Sequence, residues 1–251
     1  MRSRAALILD FDGVICDSID ECLLSSWIAY HSLFLHAQPL SVPSSLRSDF
    51  AALRPFVRGG EDYLLIHHAL ASRLAITDQP SFDALAKDAG EERLGLFREL
   101  FYQARRSIMD TQKDFWLSLN KIYPHMRELF GSAAHDSDFP WGRLRILSTK
   151  RPEFIAEIIE SSGFPMPRDR IIFSGNRAKL SLVERLIEDD GLESAVFIDD
   201  QIDHLIGNTN PRIEVYLASW GYVKQEWLSG QVPVLSPRGF AKMAREWRSA
   251  G

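Results

Sequence analysis

Five short apolar runs punctuate the chain without apolar–polar alternation: Ala5–Leu9, Leu144–Leu147, Ile171–Phe173, Ala195–Ile198 and Ile213–Leu217. Strands covered on both faces of a parallel sheet read this way. Between the later runs the period becomes helical. Pro152 stands at a first helical position, Phe154, Ile155, Ile158 and Ile159 recur on one side, and Gly163 closes the segment. From Lys179 to Asp190 the pattern repeats, with Leu182, Val183, Leu186 and Ile187 inward and Gly191 as the stop. A last helix opens at Ser236-Pro237 and carries Phe240, Met243 and Trp247 on one face. This alternation predicts an α/β fold with a doubly wound parallel sheet.

Residues 18–132 differ in character. They show helical periodicity and almost no strand signal. Ser18 and Glu21 have capping-box spacing ahead of Leu23, Leu24, Trp27 and Ile28. Further helices are expected over Glu61–Ser72, Phe82–Ala89, Glu91–Ile108 and Thr111–Phe130, with loops at Pro39–Ser45 and Thr77–Ser81. The expected organisation is therefore a core domain from 1–17 and 133–251, interrupted by an all-helical domain at 18–132.

Composition narrows the function classes. Hydrophobic residues at 45% and charged residues at 25% are a globular balance, not a disordered one. A formal net charge of -5 gives no reason to expect a nucleic-acid partner, whose phosphates would demand a basic face. Two cysteines, Cys16 and Cys22, cannot framework a chain of 251 residues, which fits a reducing, cytoplasmic setting. The basic start of the chain is followed by an apolar run that Asp10 cuts short, unlike a secretion signal. No stretch approaches the ~20 apolar residues of a membrane span. A soluble protein is expected.

The sharpest chemical feature is Asp10-Phe11-Asp12-Gly13 at the end of the first strand. In extended backbone Asp10 and Asp12 share a face, Phe11 points away and Gly13 permits a turn. Two carboxylates about 4 Å apart repel by roughly 4 kcal/mol at an effective dielectric of 20. A bound divalent cation or a raised pKa relieves that repulsion. The plainer reading is that Asp-Gly is a common turn, and alone the tetrapeptide balances the two. A second cluster, Asp199-Asp200-Gln201-Ile202-Asp203, follows the Ala195–Ile198 strand and tips it. Ligands of open parallel sheets bind beyond the carboxyl ends of strands, so both clusters belong to one edge. Asp199 and Asp203, four apart, face one site and offer hard oxygen donors suited to Mg²⁺. Asp200 is read chiefly as a helix cap. Ser148, with Thr149 and Lys150, ends another strand; its hydroxyl suits a phosphoryl oxygen or caps the helix near Pro152. Lys179 can offer positive charge to that group, with Lys150 as its rival.

The order Asp-Phe-Asp-Gly-Val-Ile-Cys-Asp-Ser, strand-Ser, Lys, strand-Asp-Asp-x-x-Asp resembles the haloacid dehalogenase superfamily. Within it, the chain is similar to the phosphoglycolate phosphatase and β-phosphoglucomutase branch, which inserts a helical cap between its first two motifs. Ala218-Ser219-Trp220-Gly221-Tyr222 also resembles that branch. The likeness covers Ala5–Ile15 and Leu144–Lys242. It implies a Rossmann-like core and a small phosphorylated metabolite as substrate. Asp10 is then the nucleophile and Asp12 the general acid/base. Ser148 binds phosphate, with Thr149 and Lys150 beside it, and Lys179 stabilises charge. Asp10, the Asp12 main-chain carbonyl and Asp199 hold Mg²⁺, with Asp203 in support. The sequence departs from the pattern at Ile198, where Gly is usual, and at Leu180, where Pro often stands. The helical insert is also longer than usual.

Other motifs read more plainly. Cys16 and Cys22 lack Cys-x-x-Cys spacing and read as packing residues. His31, His36, His67 and His68 read as core or solvent-facing histidines. Arg54, Arg58, Gly59 and Gly60 form a candidate substrate-reading loop or an exposed basic turn. Phe115, Trp116 and Leu119 read as core of the helical insert. The leading function is hydrolysis of a small phosphate monoester. A sugar-phosphate mutase and a non-catalytic binding or regulatory module are the alternatives.

Overall fold

The computed structural model describes residues 5–34, 41–134 and 136–249, with only the backbone of Ser132 and Ala134. His36 and the start of the loop expected at Pro39–Ser45 lie outside them. By contacts the chain divides into two compact units, Met1–Asp17 with Lys121–Gly251, and Ser18–Asn120.

In chain order the elements are β1 (Ala5–Leu9), β2 (Cys16–Asp17), α1 (Ile19–Phe34), α2 (Leu46–Leu53), α3 (Asp62–Ala71) and α4 (Gln79–Ala89). There follow α5 (Glu91–Thr111), α6 (Lys113–Ser118), β3 (Lys121–Ile122), α7 (Pro124–Ala134), β4 (Leu144–Ser148) and α8 (Pro152–Ser161). The chain finishes with β5 (Ile171–Phe173), α9 (Lys179–Asp189), β6 (Ser194–Asp199), β7 (Ile213–Ala218), β8 (Val234–Leu235) and α10 (Pro237–Ser249).

The first unit is built on a six-stranded sheet in the order β5-β4-β1-β6-β7-β8. Every pairing in it is parallel. The apolar runs form strands because both sheet faces are covered: Ala6, Leu7, Ile8 and Leu9 are wholly buried. Ala6, Ile8, Leu147, Phe197 and Leu217 pack with Val183 and Ile187 of α9. From β1 the chain builds outward to β4 and β5, then crosses to β6 on the other side. In open parallel sheets ligands bind at such a reversal, which here falls beside the end of β1. Register sets what meets there. Leu9 pairs with Ile146 of β4 and with Ile198 of β6, so Asp10 emerges level with Asp199.

Two-residue strands β2 and β3 pair antiparallel, Cys16 with Ile122 and Asp17 with Lys121. This pairing breaks the helix expected over Thr111–Phe130. Its second half is α7, which Pro124 opens and which packs on α10 in the first unit.

The second unit is helical, with α1 packed on α3 and α5. Glu21 is fully buried in this unit. Arg105 Nε and Nη2 donate to its two oxygens at 2.8 and 2.7 Å, and Ser25 Oγ and Trp116 Nε1 donate at 2.7 and 3.3 Å. His67 is a core histidine, 2.8 Å from Ser26 Oγ, and burial pushes its pKa down to about 3. In the loop before α3, the N–H groups of Arg58 and Gly59 donate to Asp62 Oδ2 at 2.7 and 3.0 Å. No helix among the described residues is long and apolar enough to cross a membrane.

Candidate active site

Asp10 follows β1, and its N–H donates to Ile198 O at 2.9 Å, continuing the ladder one step. The loop beyond is tight. Ile15 and Cys16 N–H both donate to Phe11 O, and Gly13 N–H donates to Cys16 O at 2.8 Å. Phe11 is fully buried, as the two-residue period requires. Gly13 has φ +86°, and a Cβ there would stand 1.9 Å from Asp200 Oδ2, so no larger residue fits.

Two lysines divide the first cluster between them. Lys179, the first residue of α9, places Nζ 2.9 Å from Asp10 Oδ1 and 2.8 Å from Asp199 Oδ2. Lys150 Nζ reaches Asp12 Oδ1 at 2.9 Å. Both lysines are 2% exposed, which is tolerable only because each charge meets a carboxylate. Burial works to lower the Lys179 pKa, but Asp10 and Asp199 overcome it and raise it. Burial raises the Asp10 carboxyl pKa against the pull of Lys179, and Asp199 adds to the rise. Burial opposes ionisation of Asp199 as well, yet Lys179 and then His204 hold its pKa well below the usual carboxylate range.

Ser148 is buried at the end of β4, where its hydroxyl accepts the Lys150 N–H at 3.2 Å and so shapes the turn leading to that lysine. It is not the cap of α8; Arg151 takes that position. Thr149 is half-buried between them.

Asp10, Asp199 and Asp200 each offer an oxygen within 4.8 Å of the others. Asp203 is half-buried in a single 3₁₀ turn, Ile202–His204, outside that group. His204 instead reaches the site, with Nδ1 3.0 Å from Asp199 Oδ2. Gln201 N–H donates to Asp199 Oδ1 at 2.8 Å. Asp200 and His204 are the residues that spacing did not point to. The strand ends at Asp199, and Asp200 joins the acidic group, while Gln201 and not Asp200 caps the turn that follows.

No family model and no curated protein matches the chain. Solved structures match over almost its whole length. A haloacid dehalogenase-like family hydrolase from Streptococcus pneumoniae superposes with TM-score 0.61 at 14% identity, covering 98% of this chain and 100% of that one. A predicted phosphoglycolate phosphatase from Haemophilus somnus gives 0.59 at 14%, covering 97% and 99%. The fold is that of the haloacid dehalogenase-like hydrolases. A hydrolase of that family from Deinococcus radiodurans, solved with bound phosphate and sodium, gives 0.55 at 14%, covering 100% and 98%. The haloacid dehalogenase-like fold accounts for the parallel core with its helical insert. At such identities it leaves the chemistry to the residues themselves.

Proposed function

We propose that the chain is a Mg²⁺-dependent phosphatase that hydrolyses a small phosphate monoester through an aspartyl-phosphate on Asp10. The observation that carries this reading is the meeting, at one sheet edge, of Asp10 with Asp199, Asp200 and Lys179. The donor set fits a hard divalent ion: three buried carboxylates, all oxygen ligands. Asp10, Asp199 and Asp200 would hold Mg²⁺, which when bound screens the nucleophile and the phosphoryl oxygens from each other.

The chain's own groups perform the steps. An Asp10 oxygen attacks phosphorus, and the bond from phosphorus to the ester oxygen breaks. Asp12, kept in place by Lys150, gives its proton to the departing alkoxide. Water then attacks the phosphorus of the mixed anhydride while Asp12 takes its proton back. The Asp10–phosphorus bond breaks, and inorganic phosphate leaves. Lys179 and the Ser148 hydroxyl stabilise charge on the phosphoryl oxygens. The buried site at the sheet edge holds these groups in place before substrate arrives.

The test is a panel of small phosphate monoesters, with p-nitrophenyl phosphate, assayed with and without Mg²⁺ for release of inorganic phosphate. Asp10→Asn should lower kcat on the order of 10⁴-fold or more, because an amide is no nucleophile. Undiminished turnover in that variant rules out the covalent route.

A further inference from the structure

Beyond β7 the chain runs Ser219-Trp220-Gly221-Tyr222 across the loop that follows β1. Trp220 Nε1–H donates to Val14 O at 3.0 Å. Tyr222 makes two bonds in different directions: its N–H donates to Asp200 Oδ2 at 2.8 Å, and its hydroxyl donates to Asp17 Oδ1 at 2.8 Å. Two glycines permit this approach. A Cβ on Gly221 would stand 2.4 Å from Asp200 Cβ and 2.5 Å from Gly13 O, and one on Gly13 would collide with Asp200 Oδ2. The loops after β1, β6 and β7 thus touch at the level of their backbones, with Asp200 between them. The indole of Trp220 is braced from behind by His125 and Phe240, with ring centroids 4.6 and 5.8 Å away.

We propose that Trp220–Tyr222 is a positioning element for the acidic site. Through Tyr222 it ties Asp200 to Asp17, the residue at which the chain leaves the first unit. The proposal rests on the reading of Asp10, Asp199 and Asp200 as Mg²⁺ ligands. A free carboxylate rotates about two bonds and must be ordered when a cation binds. Asp200 is ordered beforehand by a peptide N–H, and that peptide is held by its own side chain at the far end. Tyr222 need not touch substrate to matter.

Tyr222→Phe deletes one oxygen and keeps both the ring and the peptide N–H. Asp17→Ala deletes the acceptor, whereas Asp17→Asn keeps an oxygen that can accept the same bond. The experiment titrates Mg²⁺ alone into the full-length protein by calorimetry, alongside thermal unfolding, and then measures kcat and KM on p-nitrophenyl phosphate. Tyr222→Phe and Asp17→Ala should each weaken Mg²⁺ binding by roughly three- to tenfold, the range of one lost hydrogen bond. The double variant should be no weaker than the worse single, because both remove the same bond. Asp17→Asn should restore most of the affinity, and KM at saturating Mg²⁺ should stay within about twofold. Gly221→Ala should weaken binding further; if it does not fold, the tyrosine variant still decides. Wild type that binds Mg²⁺ beside variants of equal affinity but lower thermal stability would overturn the proposal and leave the phosphatase reading standing. Wild type that binds no Mg²⁺ would overturn the metal site, and the positioning role with it.

Discussion

Glu21 in the second unit and Asp199 in the first are both 0% exposed, yet their surroundings differ in kind. Glu21 meets the forked guanidinium of Arg105 with both oxygens, and Ser25 and Trp116 add donors to Oε1. One negative charge faces one positive charge, and the pair is closed. Asp199 shares Lys179 with Asp10, and Asp200 stands within 4.8 Å of both. Here carboxylates gather around a lysine that reaches two of them. A closed pair joins helices; gathered carboxylates repel one another, and a bound cation would relieve that repulsion.

Removing a charge from each region should therefore have opposite consequences. Arg105→Met strands Glu21 without a counter-ion and should destabilise the protein by about 3–5 kcal/mol, read from denaturant unfolding. Asp10→Asn relieves like-charge repulsion and should leave the metal-free fold as stable as wild type or more so, even as turnover is lost. Equal destabilisation in both variants would erase the distinction between the two regions.

A smaller effect sharpens the same comparison. Asp62, buried in the second unit, has its pKa pushed up to about 6 by burial first and by neighbouring Glu61. A carboxyl whose folded pKa is raised binds its proton more tightly when folded. It therefore weakens the fold as pH rises from about 4 to about 6, and the penalty persists above that. Asp62→Asn keeps an oxygen for the Arg58 and Gly59 N–H groups and removes the charge. At pH 7.5 the variant should exceed wild type by roughly 1–3 kcal/mol, and at pH 4 the gap should close. A gap independent of pH would show that Asp62 is not the group responsible.

The core was legible because burial on both faces writes itself into sequence as uninterrupted apolar runs. All five runs are strands, and α8, α9 and α10 begin where Pro152, Lys179 and Pro237 announce them. Strands of two residues leave no such trace. Cys16–Asp17, Lys121–Ile122 and Val234–Leu235 are too short to show a period, so the helix expected through Phe130 was not broken where β3 breaks it. Pro124 was the available signal, since the residue before a proline is steered away from helix.

At the site, chain order placed Asp10, Ser148 and Asp199 at strand ends, but it could not pair the lysines. Lys150 and Lys179 both lie just beyond strands, and only the folded register gives Lys179 to Asp10 and Lys150 to Asp12. Nor could spacing separate Asp200 from Asp203. That depends on where the chain turns after β6, which is settled by contacts with Gly13 and Tyr222 more than two hundred positions apart in sequence.

Whether Asp10, Asp199 and Asp200 grip one cation can be read without any substrate, by thermal unfolding with increasing Mg²⁺. Mg²⁺ at about 100 times its Kd should stabilise wild type by roughly 2.7 kcal/mol. Asp199→Ala and Asp200→Ala should lose that gain, and Asp203→Ala should keep it. Stabilisation surviving undiminished in Asp199→Ala and Asp200→Ala, or absent from wild type, would contradict a shared magnesium site at this edge of the sheet.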